Sequence, residues 1–150
     1  MEPNRATREA VDAYFARLAS ARTPHEPLRV LLVEDDATYI EMFSRQAGPG
    51  VRLNVVADGR AAWALLDAAQ RHDVAFVDLR LPPTGPTGVE VIHRLHRDDP
   101  DCRVVACTSW PDTEDLREAL RSGIVGAVLK TGDYSEIHDV FRHYRLAPRT

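Results

Sequence analysis

Cysteine is scarce in this chain of 150 residues, which carries only Cys102 and Cys107. Two cysteines form no disulfide framework and supply too few ligands for a zinc site. They stand five positions apart on one short segment, and this odd spacing places them on opposite faces of a strand. Cys107 is therefore interpreted as a small buried hydrophobe. This use of cysteine favours a protein of a reducing, cytoplasmic compartment.

Long apolar runs and excess basic charge are also missing. No run approaches the roughly 20 apolar residues that span a bilayer, and the polar segment that opens with Met1–Arg5 has no signal-peptide core. The net charge of -4 gives no electrostatic footprint for nucleic acid. These absences argue against membrane and nucleic-acid partners. With 44% apolar and 28% charged residues, the chain has the composition and length of one soluble globular domain.

The most informative stretch of the sequence runs from Val74 to Pro83. Four apolar residues lead directly into Asp78, and the Pro82-Pro83 pair then stops any regular structure. A short apolar run bounded by turn signals indicates a strand buried on both faces, as in a parallel sheet. Asp78 would end this strand, at the edge of the sheet where ligands and chemistry gather in open α/β folds.

Strand patterns and helical patterns alternate along the chain, joined by short loops. Strands are predicted at Leu28–Val33, Val51–Ala57, Val74–Asp78, Arg103–Cys107 and Gly126–Leu129. Helices are predicted at Ala37–Ala47, from Asp58 or Gly59 to about His72, at Val89–Arg97, from the cap Asp112 to Ser122, and from the capping box of Asp133 and Glu136 through Tyr144. This alternation predicts an α/β protein with a doubly wound, five-stranded parallel sheet of flavodoxin-like order 2-1-3-4-5 and five helices.

Residues 1–27 are predicted to form an N-terminal helix and a linker ahead of the domain, which is expected to cover residues 28–147. Asn4 is the predicted helix N-cap, and Thr23–Pro27 is typical of a linker. Between them an apolar stripe recurs at helical spacing, formed by Val11, Tyr14, Phe15 and Leu18. The stripe is expected to pack on the domain itself, on a second copy of the chain or on a partner. The few residues after the last helix predict no further domain.

Chemistry-bearing residues stand at the carboxyl ends of four predicted strands: Glu34-Asp35, Asp78, Thr108 and Lys130. In a parallel sheet these ends lie along one edge. Carboxylates crowded there would raise one another's pKa values unless a cation sits among them. Hard oxygen ligands of this kind suit Mg²⁺, while lysine and a hydroxyl can contact phosphoryl oxygens. Together with a carboxylate nucleophile, these groups predict a phosphoryl-transfer site.

In this order and spacing the residues resemble the signature of the receiver domain of two-component response regulators, from Leu28 to about Arg145. The resemblance implies that Asp78 accepts a phosphoryl group from a phosphohistidine on a sensor histidine kinase or a histidine phosphotransfer protein. Lys130 and Thr108 would contact the phosphoryl oxygens, with Thr108 shifting inward. The protein would signal by contact with a downstream protein, or serve within a phosphorelay, and would catalyse only its own phosphorylation and dephosphorylation.

The same resemblance implies a set of metal ligands. Asp35 and Asp78 would bind Mg²⁺ directly, together with the backbone carbonyl of Arg80, and Glu34 would act through a bound water. The run of three acidic residues leaves open which pair is used. Counted from the strand, Glu34 and Asp35 fall on the two acidic positions of the family, while Asp36 is expected to cap the following helix.

Three departures from the family pattern concern how the domain passes on its signal rather than how it is phosphorylated. Ala127 stands three residues before the lysine, where the family usually carries an aromatic switch residue. Thr131 follows Lys130, where the family usually has proline. The loop Pro82–Gly88 is longer than usual. A ring moving on the fifth strand therefore cannot carry the signal.

The signal is instead expected to travel through the end of the fourth strand. Thr108 would move toward the phosphoryl group and carry Ser109 and Trp110 with it, shifting the helix that follows. Trp110 is interpreted either as a packing residue or as part of the surface that changes. Apolar area for a partner or a second copy is offered by Tyr134, Phe141 and Tyr144.

Two functions of other classes agree less well with the same residues. A Mg²⁺-dependent phosphatase of the haloacid-dehalogenase type needs a second aspartate two positions after its nucleophile, and that position is Arg80. A receiver-like binding module that is never phosphorylated would be marked by loss of Asp78 or Lys130, and both are present. The sequence therefore favours a phosphoacceptor.

Overall fold

The computed structural model describes residues 27–110 and 112–130. The predicted N-terminal helix and the predicted last helix from Asp133 lie outside these residues. The described ranges contain five strands and four helices. The strands are β1 (Leu28–Val33), β2 (Val51–Val56), β3 (Val74–Asp78), β4 (Arg103–Thr108) and β5 (Gly126–Leu129). The helices are α1 (Ala37–Ala47), α2 (Gly59–Asp67), α3 (Gly88–Asp98) and α4 (Glu114–Arg121).

The five strands form one parallel sheet in the order β2-β1-β3-β4-β5, which confirms the predicted flavodoxin-like topology. The register places Asp78 beside Cys107, and Thr108 beside Leu129. Since every strand runs in the same direction, the carboxyl ends of β1, β3, β4 and β5 all open on one edge. This edge carries the polar residues that the sequence analysis singled out.

Apolar side chains cover both faces of the sheet, and every residue of β3 is buried. On one face the strands pack against α1, where Phe43 meets Phe76 edge-on with ring centres 4.9 Å apart. This group, the α1 core, consists of Leu28, Val30, Leu32, Tyr39, Phe43, Ala47, Val74, Phe76, Val105, Cys107 and Val128. On the other face α2, α3 and α4 build a second core that includes Cys102. Both cysteines are buried and free, on opposite faces as predicted.

Helix α2 ends at Asp67, so its predicted extension to about His72 is wrong. Ala69 adopts a left-handed backbone with φ 56°, and its N–H donates to the Leu66 carbonyl while that of Gln70 donates to the Leu65 carbonyl, both at 3.0 Å. These bonds close the last turn and satisfy the terminal carbonyls. Nothing in the composition of the segment signals this reversal, because alanine in place of glycine at such a position is uncommon.

The helix caps agree with the sequence at α1 and differ at α4. The Asp36 carboxylate accepts the backbone N–H groups of Thr38 and Tyr39, which confirms it as a cap. Asp112 was expected to cap the following helix, but the Thr113 hydroxyl accepts the N–H of Leu116 instead. Asp112 lies one residue too early and pairs with Arg117 at 2.8 Å. Both residues are good caps, so the sequence did not distinguish them.

None of the helices in the described part of the chain has the length and hydropathy needed to cross a membrane.

The loop after Asp78 is pressed against the starts of two helices. A Cβ added at Gly88 would lie 2.3 Å from the carbonyl oxygen of Asp78, and one at Gly59 would lie 2.3 Å from that of Pro86. The side chain of Thr87 completes a capping box with Glu90 at the start of α3. A side chain at Gly88 would therefore press on the backbone of Asp78 and Leu79.

Replacing Gly88 with alanine is expected to lower the free energy of unfolding by about 2 kcal/mol, as overpacking does in other cores, even though alanine favours helix. The control is Gly123→Ala, where φ is 98° but a Cβ would meet no described atom within 4 Å. The control should cost about 1 kcal/mol through backbone strain alone. Urea unfolding measures both, and a smaller loss at Gly88 than at Gly123 would contradict the contact.

Candidate functional site

Three carboxylates meet where β1 and β3 end. One oxygen each of Glu34, Asp35 and Asp78 lies within 4.8 Å of the others. Asp35 is exposed, Asp78 is buried, and the side chain of Glu34 is 0% exposed. Carboxylate oxygens in such a group, with one side open to solvent, suit a hard divalent cation that keeps several of its waters.

The pKa of Glu34 is raised from the ordinary 4.5 to about 7. Burial is the largest cause, and the neighbouring charge of Asp78 also raises the pKa, while hydrogen bonds from Lys130 and from the Asp36 N–H lower it. The predicted mutual effect of the carboxylates on pKa is thus present at Glu34, although removal from water is its larger cause.

Lys130 crosses the edge of the sheet from β5 to this acidic group. Its Nζ lies 2.7 Å from Glu34 Oε2 and 3.2 Å from Asp78 Oδ2. Burial by itself lowers the pKa of Lys130, but the contacts with Glu34 and Asp78 outweigh it and leave the pKa raised. The ammonium is therefore charged and in place beside the carboxylate of Asp78.

The register of the strands explains why these residues meet. Side chains along a strand alternate between the two faces of the sheet. By this alternation, Glu34, Asp78 and Lys130 lie on the face that packs against α1. Two residues before each of them stands a member of the α1 core: Leu32, Phe76 and Val128. Thr108 follows Ala106, which belongs to the opposite core. The alternation therefore places Glu34, Asp78 and Lys130 on one face of the sheet and Thr108 on the other.

Thr108 is buried, and its hydroxyl bonds within its own turn. Oγ1 donates to the carbonyl oxygen of Trp110 at 3.1 Å and accepts the Trp110 N–H at 3.0 Å. The Ser109 hydroxyl donates to the Lys130 carbonyl at 3.4 Å. The structure thus brings Thr108 to the edge of the site with its hydroxyl engaged elsewhere, and the predicted contact with a phosphoryl oxygen requires that hydroxyl to turn.

Arg80 and Trp110 face each other across the mouth of the site. The guanidinium carbon of Arg80 lies 5.5 Å from the centre of the Trp110 ring, within range of a cation–π interaction. The Arg80 N–H donates to Asp78 Oδ1 at 2.9 Å. Trp110 is 55% exposed. Together they border a cleft of about 370 Å³ lined by Glu34, Asp35, Asp36, Asp78, Arg80, Ser109, Trp110 and Lys130.

Tyr39 is the residue of this site that sequence reasoning missed. Tyr39 is 3% exposed, whereas its neighbour Ile40 is only partly buried. Its ring centre lies 4.8 Å from Lys130 Nζ, and burial raises the pKa of its phenol above the usual range. The spacing of four between Tyr39 and Phe43 was the available signal.

Ala127 is buried on β5 beside Ala106. A methyl group therefore occupies the strand position where the family usually has a ring. The structure agrees with the sequence on this departure, and the exposed aromatic of the site is Trp110, on the turn after β4.

A parallel α/β sheet whose carboxyl edge gathers acids around one lysine defines a class of ligand-binding and phosphoryl-accepting domains. Comparison with known proteins narrows the class: the response regulator receiver domain family matches residues 30–142. The chain therefore belongs to the response regulator receiver domain family, a family of signalling domains.

Curated relatives agree with this assignment. The chain is 31% identical over 130 residues to the Probable transcriptional regulatory protein TcrX of Mycobacterium tuberculosis, covering 86% of this chain and 53% of that protein. It is 27% identical over 118 residues to the response regulator protein VraR of Staphylococcus saprophyticus, covering 77% and 56%. The chain thus spans about half the length of these relatives.

Among solved structures, the phosphorylated cyanobacterial phytochrome response regulator RcpA is similar with a TM-score of 0.68 at 21% identity, over 81% of this chain and 94% of that one. The receiver domain of an HD domain-containing protein from Pseudomonas fluorescens has a TM-score of 0.69 at 21% identity, over 80% and 95%. At this identity the likeness bears on the fold, which it confirms.

The raised pKa of Glu34 predicts a pH dependence of stability. The folded state holds this proton up to about pH 7, against 4.5 ordinarily, so the contribution of Glu34 to stability is present below about pH 4.5 and is lost as pH rises through 7. Relative to Glu34→Gln, the wild type should lose up to about 3 kcal/mol over that window in the presence of chelator. Urea unfolding at several pH values measures the difference, and a gap independent of pH would contradict it.

Proposed function

We propose that the chain is a phosphoacceptor receiver that takes its phosphoryl group on Asp78 from a phosphohistidine of a sensor histidine kinase or a histidine phosphotransfer protein. The observation that carries the proposal is the position of the Asp78 carboxylate. It stands at the end of the buried β3, between the Lys130 ammonium at 3.2 Å and the acidic pair Glu34 and Asp35. Family membership supports the same role.

In the proposed reaction, a carboxylate oxygen of Asp78 attacks the phosphorus in line. The new O–P bond forms as the P–N bond breaks, and the imidazole nitrogen of the donor keeps the electron pair. Charge spreads over the three equatorial oxygens, where the Lys130 ammonium can stabilise it. Arg80 N–H, bonded to Asp78 Oδ1, orients the carboxylate for attack.

The acidic group also fits the metal that the family implies. Asp35 and Asp78 would hold Mg²⁺ with the backbone carbonyl of Arg80, and Glu34 would reach it through a water. Bound there, Mg²⁺ would neutralise charge on the transferring group. The carboxylate oxygens lie within 4.8 Å of one another, close enough to serve one ion.

The two rival functions find less support in the geometry. A phosphatase of the haloacid-dehalogenase type would need a carboxylic acid at the position of Arg80, and that residue presents a guanidinium to Trp110. A binding module that is never phosphorylated has no use for a lysine held between Glu34 and Asp78. Output through contact with a downstream protein, or onward transfer in a phosphorelay, follows from the phosphoacceptor role.

Asp78→Asn is expected to abolish phosphoryl uptake from acetyl phosphate and Mg²⁺ while leaving the fold intact, because it removes the nucleophile at a cleft. Asp35→Asn should slow uptake by about tenfold or more, since it removes a metal ligand with its charge. Asp101→Asn, at an exposed turn ahead of β4, is the control and should behave as wild type. Mass spectrometry of the intact protein measures uptake. Undiminished uptake by the Asp78→Asn protein would overturn the proposal.

Activation is expected to change the surroundings of Trp110, because the Thr108 hydroxyl must leave its backbone to reach a phosphoryl oxygen. The chain has two tryptophans, so Trp63→Phe leaves Trp110 as the fluorescent reporter. In this variant, beryllofluoride with Mg²⁺ should change the Trp110 fluorescence and the amide exchange of residues 108–122. Thr108→Val, which lacks the hydroxyl, should remove the response, and Thr108→Ser should keep it. If Trp110 is silent and exchange is unchanged, the signal leaves the site elsewhere, with the Pro82–Gly88 loop as the next segment to follow. Light scattering of the same samples tests self-association.

A further inference from the structure

The side chain of Lys130 has to be held far from its own strand. β5 and β1 are separated by two strands, which at about 4.8 Å between neighbours is roughly 14 Å from strand to strand. Lysine has a flexible four-carbon stem and a strongly hydrated head, yet this side chain is only 12% exposed. Its inward conformation therefore depends on partners at the far end.

Within the described part of the chain, three groups contact the ammonium. Two are the carboxylates of Glu34 at 2.7 Å and Asp78 at 3.2 Å. The third is the ring of Tyr39, whose centre lies 4.8 Å from Nζ. A cation at this distance from the face of an aromatic ring is attracted by the ring quadrupole, more strongly where water is largely excluded.

The two carboxylates are unsuited to be the permanent support of Lys130. Asp78 is the proposed nucleophile, and its charge is redistributed when it becomes an acyl phosphate. Glu34 belongs to the acidic group proposed to hold a metal, whose charge would alter the attraction between Glu34 and Lys130. Of the three partners, only the Tyr39 ring keeps the same charge through every state of the site.

The Tyr39 ring is itself held in place. The N–H of Tyr39 donates to the Asp36 cap at 3.2 Å in the first turn of α1. Tyr39 is also 3% exposed and belongs to the α1 core. The helix cap and burial in this core together hold the ring beside the ammonium.

We propose that Tyr39 is a positioning residue of the phosphoacceptor site, whose ring face holds the Lys130 ammonium beside Asp78. The inference rests on the proposed function of Asp78 and Lys130, and it concerns the ring rather than the phenol oxygen. Tyr39 touches neither the reacting oxygen nor the phosphorus, and it acts through Lys130.

Two substitutions separate the ring from ordinary core packing. Tyr39→Phe keeps the ring face, and Tyr39→Leu removes it while keeping an apolar side chain. Phe43→Leu is the matched control, because it removes a ring from the same core one helical turn further from Lys130. Uptake from acetyl phosphate with Mg²⁺ should fall about fivefold or more in Tyr39→Leu. It should stay within about twofold of wild type in the other two, after correction for the folded fraction.

A second readout follows the geometry without any chemistry. The ε-methylene protons of Lys130, near the face of the Tyr39 ring, should be shifted upfield by the ring current in carbon-resolved NMR spectra. The shift should persist in Tyr39→Phe and Phe43→Leu and disappear in Tyr39→Leu. If Tyr39→Leu does not fold, Tyr39→Met, with its adaptable unbranched side chain, takes its place in both measurements.

Three results would overturn the inference: wild-type uptake in Tyr39→Leu, equal slowing in Tyr39→Leu and Phe43→Leu, or equal slowing in Tyr39→Leu and Tyr39→Phe. The second would assign the effect to packing and the third to the hydroxyl.

Failure of the proposed function has a different signature, because there the Asp78→Asn protein would still take up phosphoryl groups. If Asp78→Asn takes up no phosphoryl groups and Tyr39→Leu takes them up as wild type does, only the role of Tyr39 is contradicted.

Discussion

The balance of charge at the carboxyl edge of the sheet is the constraint on which the site depends. Three carboxylates share this edge with a single nearby ammonium, that of Lys130. An uncompensated charge removed from water costs several kcal/mol, and Glu34 is removed from water almost completely. Without a metal the pKa of Glu34 is raised to about 7, which reduces the negative charge at this edge. A divalent cation bound there would reduce the same charge, so its binding would be expected to release the proton of Glu34.

The fold supplies this arrangement through two simple properties of parallel strands. Their common direction brings four carboxyl ends to one edge, and their alternation decides which residues share a face. Glu34, Asp78 and Lys130 extend the row that packs on α1, so the charged group forms the end of a hydrophobic core and is shielded by it. Thr108 lies on the opposite face, and its hydroxyl makes hydrogen bonds with the backbone of Trp110 rather than with the charged group.

Sequence alone was enough for the sheet, its order and the placing of the acids and Lys130, because apolar runs and short loops leave little choice of topology. It was insufficient where a side chain or a turn depends on tertiary packing. The end of α2 at Asp67 rests on a left-handed Ala69, for which the sequence carries no glycine signal. Tyr39 has the spacing of a core residue, but its contact with Lys130 depends on where the long side chain of Lys130 places its ammonium. The direction of the Thr108 hydroxyl is a choice between partners, and no pattern of residue types encodes it.

Under the proposed function, that choice would also allow a switch without an aromatic residue on β5. In the resting structure the Thr108 hydroxyl donates to a neutral carbonyl, a bond worth about 0.5–1.5 kcal/mol net, whereas donation to a charged phosphoryl oxygen is worth about 1.5–3 kcal/mol. The difference of roughly 1 kcal/mol favours the turned hydroxyl about fivefold. The Trp110 N–H loses its acceptor in the exchange, but Trp110 is exposed and water can replace it. A small residue such as Ala127 leaves this competition undisturbed, so the proposed signal needs only the hydroxyl and the turn it releases.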